Sequence, residues 1–169
     1  MKSAQMNKKS WQNGILLTIP PLVFNLVFAD KLPRAFSPEI FDKNIPLFIT
    51  YGENILRSFV FIFPLLMILS VKTERQKTGL WLYLLGMALY FLSWVLLIIF
   101  PESLWSNSLF GFLAPAYTPL IWLIGIGLIG DTLYISIPYK WWYYLIGVIL
   151  FLAFHLSHVF FVYTQNLSG

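Results

Sequence analysis

The chain of 169 residues has no cysteine. That excludes disulfides, thiolate zinc sites and thiol redox chemistry. Charge is scarce as well. Only 11% of residues are Asp, Glu, Lys or Arg, where a soluble domain carries about a quarter. So few charges cannot coat a water-facing surface of this size. Histidine occurs twice, at positions 155 and 158. No internal repeat is evident. The net charge of +4 does not point to nucleic acid, because the basic residues sit mostly beside apolar runs and read as topology signals.

What the chain does have is apolar length. It is 59% hydrophobic and 19% aromatic, and about 20 apolar residues in a row span a bilayer as a helix. The expected fold is all-α: one integral membrane domain over residues 1–169, a single bundle of five transmembrane helices. They are placed at about 11–29, 50–71, 79–100, 112–130 and 141–163. The first run also has the make-up of a signal peptide, but it is read as a membrane helix kinked at Pro20-Pro21. Between the first two runs, Ser37-Pro38-Glu39 resembles a capped helix start, so a short outer surface helix is expected over about 37–44. With the N-terminus inside, seven basic residues (Lys2, Lys8, Lys9, Lys72, Arg75, Lys77 and Lys140) fall on the inner side. Lys31, Arg34 and Lys43 fall outside, so the N-terminus is expected inside and the C-terminus outside. A multi-pass protein of the plasma membrane is the expected localisation.

Polar side chains collect at one depth. At 1.5 Å per residue, Arg57 lies roughly 9 Å below the outer end of its helix and Ser93 roughly 12 Å. Asn25, His158 and His155 fall in the same layer, and Tyr117 and Thr118 begin another outer end. Charged groups within membrane helices are costly, usually paired and often functional. Glu53 and Arg57 stand in the favourable i, i+4 order for an ion pair. His155 and His158 share one helical face and could hold a metal, with Glu53 completing a triad. Gly79, Tyr83, Gly86, Tyr90 and Ser93 form a small-and-aromatic seam read chiefly as packing. Gly125-Ile-Gly-Leu-Ile-Gly130 matches GxGxxG but lies inside an apolar helix, so it is read as packing and not as a nucleotide site.

Two family patterns come near these motifs without being met. Five helices and many tryptophans resemble the TspO translocators in architecture, but their tryptophan- and proline-rich first loop is missing. Glu53-Asn-Ile-Leu-Arg57 resembles the EExxxR core of the CPBP intramembrane proteases, but Gly52 stands in place of the first glutamate. No family is assigned.

The leading functional expectation is an outward-facing polar and aromatic pocket that binds, or helps to transport, a small amphipathic or lipid-like ligand. Its residues are Asn25, Glu53, Asn54, Arg57, Tyr90, Ser93, Trp94, Tyr117, Thr118, His155 and His158, with Arg57 on the acidic end of the ligand. A second reading is a membrane-embedded hydrolase or isomerase with Glu53 as general base and His155 or His158 as metal ligand or acid–base group. A third is a non-catalytic subunit of a homo- or hetero-oligomer. The lipid bilayer is the expected surrounding; no cofactor can be named.

Overall fold

Proline and glycine decide where the apolar runs remain helical. The computed structural model describes residues 13–168 and is 77% helical. Trp11 and the basic residues Lys2, Lys8 and Lys9 lie outside the described residues. The main elements are α1 (Ile19–Val27), α2 (Leu47–Ile62), β1 (Met67–Leu69), α3 (Glu74–Ile99), α4 (Pro119–Ile129), β2 (Gly130–Leu133) and α5 (Trp141–Ser168).

Two helices, α3 and α5, are long and apolar enough to cross a membrane. Five continuous transmembrane helices are not what the chain builds. The first expected span divides into a 3-10 turn, Gly14–Leu17, and the nine-residue α1, with Pro20-Pro21 in its first turn. The second ends at Ile62, where Pro64 falls in a 3-10 turn that hands over to β1. The fourth is cut by Pro119 into the single turn Ala114–Tyr117 and the eleven-residue α4. Proline supplies no N–H and crowds the preceding turn, so each break follows from its placement. The surface helix expected over 37–44 is one turn, Pro38–Phe41, and Ser37 makes no side-chain cap. Asn44, at φ 57°, turns the chain away in the left-handed region.

The interrupted segments meet at one end of the molecule. There β1 and β2 form an antiparallel ribbon pairing Met67 with Leu133 and Ile68 with Thr132, and Asn13 bridges to Ile68. The start of α3 is tied to this ribbon. Thr73 and Gln76 form a capping box, the Gln76 side-chain amide donates to Asp131 Oδ1 at 3.0 Å, and Arg75 donates to the Gly130 carbonyl at 2.9 Å. Tyr139 donates to the Gly127 carbonyl at 2.6 Å, and burial pushes its phenol pKa up.

A Cβ on Gly79 would press on Leu128 and the Gly125 carbonyl, one on Gly125 on the Tyr83 backbone, and one on Gly86 on the Trp122 backbone. These glycines let the backbones of α3 and α4 approach closely, as the packing reading of both glycine motifs expects. Tyr83 reaches the 3-10 turn before α1, donating to the Leu17 carbonyl (3.0 Å), and Tyr90 reaches α1 itself, donating to Asn25 Oδ1 (2.7 Å). The main core is centred on Trp122, Leu123, Ile126, Tyr144 and Val148. Outside it, Leu84, Leu85 and Leu92 on α3 and Ile146, Ile149 and Leu150 on α5 are exposed. Only 39% of the most apolar window of either helix is buried.

Candidate functional site: a buried carboxylate between two histidines and an arginine

Helix α2 carries Glu53 into the gap against α5. Gly52 makes this possible: a Cβ there would run into the ring of Phe154 on α5. Glu53 is 1% exposed. A carboxylate removed from water must be paired and hydrogen-bonded, and here both oxygens are. Oε1 accepts from Arg57 Nη2, one turn along α2, and lies 2.8 Å from His155 Nδ1. Oε2 lies 2.5 Å from His158 Nδ1. The i, i+3 spacing of the histidines turns both rings to the same carboxylate, 102 and 105 residues downstream of it.

The two histidines differ in what remains to them. His158 is buried, stacks on Phe41 at 4.3 Å, and directs Nε2 to the Phe41 carbonyl at 3.0 Å, with Asp42 Oδ1 at 3.7 Å. Both of its nitrogens thus face oxygens that, with Glu53 ionised, can only accept. The ring therefore donates from both sides, as an imidazolium. Arg57 and His158 then balance Glu53 and Asp42. His155 is 18% exposed, stacks on Phe151 at 5.2 Å, and donates its Nδ1 proton to Glu53. Its Nε2 has no partner among the described residues, and in the neutral ring that nitrogen is an acceptor.

His155 also lines a cavity of about 160 Å³ with Leu32, Phe36, Phe41, Trp94 and Val159. Phe36 stands edge-on to Trp94 at 5.0 Å, so the wall is aromatic. The Trp94 indole N–H lies near the Tyr90 oxygen without a well-formed hydrogen bond. The linker before α2 thus supplies one wall, α3 a second and α5 the polar corner.

The structure gathers some of the expected residues and separates others. Glu53, Arg57, His155 and His158 form one network, and Trp94 lines the cavity beside it. Asn25 and Tyr90 form a neighbouring pair that ties α1 to α3. Ser93 and Thr118 turn back onto their own helices, donating to the Tyr90 and Ala114 carbonyls. Asn54 and Tyr117 are exposed and do not line the cavity. Arg57 is committed to Glu53, and it too is not part of the cavity wall. Among the described residues, no group of three or more His, Asp or Glu is arranged to hold a metal ion. The reason is visible: both Nδ1 atoms are spent on the carboxylate and His158 Nε2 on a carbonyl. Sequence reasoning missed Phe36, Phe41 and Asp42. Only their place in a polar linker between two apolar runs hinted at them, and no side-chain pattern marks a backbone carbonyl as a partner.

Comparison with protein-family models, with curated proteins and with solved structures finds no match.

Proposed function

We propose that this chain is a multi-pass membrane protein that binds a small amphipathic ligand in the aromatic cavity beside His155. In this reading all five apolar segments lie in the bilayer. The three interrupted ones complete their crossings with turns and the β ribbon, which is tolerable because buried backbone groups find partners within the protein. The N-terminus lies inside and the C-terminus outside.

One observation carries the ligand reading. A single ring, His155, is fixed by a buried carboxylate on one edge and borders an apolar, aromatic cavity with its other face. Ligand sites are typically apolar walls with a few placed polar groups. A neutral His155 would accept a hydrogen bond from a hydroxyl or amide, while Phe36, Trp94 and Leu32 would hold the apolar body. Glu53 and His158 orient the ring.

The test is native mass spectrometry of gently purified protein. A retained organic mass in the wild type is expected, lost in Trp94→Ala and reduced in His155→Ala, and kept in Asn54→Ala on the exposed face of α2. No retained mass, or equal retention in all four proteins, would overturn the reading.

A second reading has its own support. Glu53–His155 has the form of a carboxylate–imidazole pair that positions a general base. Glu53 itself is spent on three donors, so the proton acceptor would be His155 and not the glutamate. Chemical change of the retained mass by wild type and not by His155→Gln would favour an enzyme.

A further inference from the structure

A second cavity, of about 320 Å³, lies where α3 and α5 end, lined by residues just after α3 and near the C-terminal end of α5. Its floor is apolar: Ala35, Leu97 and Phe112, all buried. Its rim carries Arg34 from the linker, Glu102 from the end of α3 and Asn166 from the end of α5. The volume falls within the range of small-molecule sites. Arg34 and Glu102 are exposed, and among the described residues neither forms an ion pair, with the other or with anything else. Two opposite charges therefore border one small cavity without neutralising each other. Three exposed apolar residues, Leu104, Trp105 and Phe110, stand just beyond Glu102. Aromatic and apolar residues in such a loop mark the depth of lipid headgroups.

We propose that this cavity is a binding site for a zwitterionic group. Its acidic end would meet the Arg34 guanidinium, its ammonium the Glu102 carboxylate, and its carbon skeleton the Ala35–Leu97–Phe112 floor. Arginine's fork suits a phosphate or carboxylate, and a carboxylate suits an ammonium. A phosphoethanolamine group has both ends at short separation. It occurs as a free solute and as the headgroup of phosphatidylethanolamine. The site is separate from the His155 cavity and does not depend on the reading given to that cavity.

The experiment is calorimetric titration of the full chain with O-phosphoethanolamine, in nanodiscs of phosphatidylglycerol. Saturable binding is expected, weakened at least tenfold in both Arg34→Gln and Glu102→Gln and partly recovered in Glu102→Asp. Ethyl phosphate, which lacks the ammonium, should bind as weakly to the wild type as O-phosphoethanolamine does to Glu102→Gln. Both substituted residues are exposed, and unchanged thermal unfolding of the variants would show that the fold is intact. Repeating the titration in phosphatidylethanolamine nanodiscs separates the sources. Binding abolished there assigns the site to the lipid headgroup; binding retained assigns it to the free solute. Both support the zwitterion site. No binding in phosphatidylglycerol nanodiscs, or binding indifferent to both variants, would overturn it.

Discussion

Glu53 has more depending on it than any other side chain in the described structure. It is the one acceptor shared by Arg57, His155 and His158, and nothing else nearby could replace it. Removing Glu53 strands the buried His158, and an uncompensated buried charge costs roughly 3–5 kcal/mol, whereas Arg57, 43% exposed, can turn to water. Glu53→Ala is therefore expected to lower stability in detergent by about that much, read as a fall in thermal or denaturant midpoint. His158→Ala should be damaging too, because it strands one carboxylate oxygen and frees the Phe41 carbonyl. His155→Gln should cost least, since His155 is partly exposed and its second nitrogen is unpartnered. The same stability for all three variants would refute this ordering. Much of the network is legible in the sequence. The i, i+4 order of Glu53 and Arg57 and the i, i+3 histidines each announce a shared face. The pairing between those faces is not legible, because it depends on how α2 and α5 cross. Nor is the consequence for Arg57, whose charge goes to Glu53.

At the scale of elements, glycine governs contact and proline governs length. A leucine at Gly86 would have to displace the Trp122 backbone, and the one at Gly125 the backbone of Tyr83. Overpacking of this kind costs about 1–3 kcal/mol. Gly127→Ala should be tolerated far better, since the nearest atom to its new Cβ is Tyr144 Cδ1 at 3.3 Å. Thermal unfolding of the three variants checks the contrast. The seam itself is readable in the sequence from helical spacing. The true lengths of α1, α2 and α4 are not, because hydropathy reports apolar content and is blind to whether a run stays helical. Pro20, Pro21 and Pro119 stand in the open, but a proline in an apolar run can kink a helix or end it. The ribbon is still less visible: Gly130–Leu133 is too short to show a strand's alternation.

For the whole molecule, the question is whether the chain crosses a bilayer and, if it does, how many times. Two helices meet the length requirement by themselves. The absence of cysteine makes the matter accessible, since any introduced thiol is the only one present. With five crossings, Lys43→Cys should react with a membrane-impermeant maleimide from outside on intact cells. Lys77→Cys should react only after permeabilisation. Labelling of both from the same side would contradict the arrangement. Lys43 precedes α2 and Lys77 lies in the first turns of α3, so the pair tests the crossing by α2 and the ribbon end directly.

The spacing of the Glu53 network along the chain bears on how the protein is made. Arg57 emerges from the ribosome four residues after Glu53, whereas the histidines follow about a hundred residues later. In the proposed multi-pass arrangement, α2 would enter lipid with a single counter-charge on its own helix, Arg57. In that arrangement the arginine would be the companion during insertion, and the histidines the partners in the finished fold. Loss of Arg57 would be felt at the translocon, and loss of the histidines after release from it.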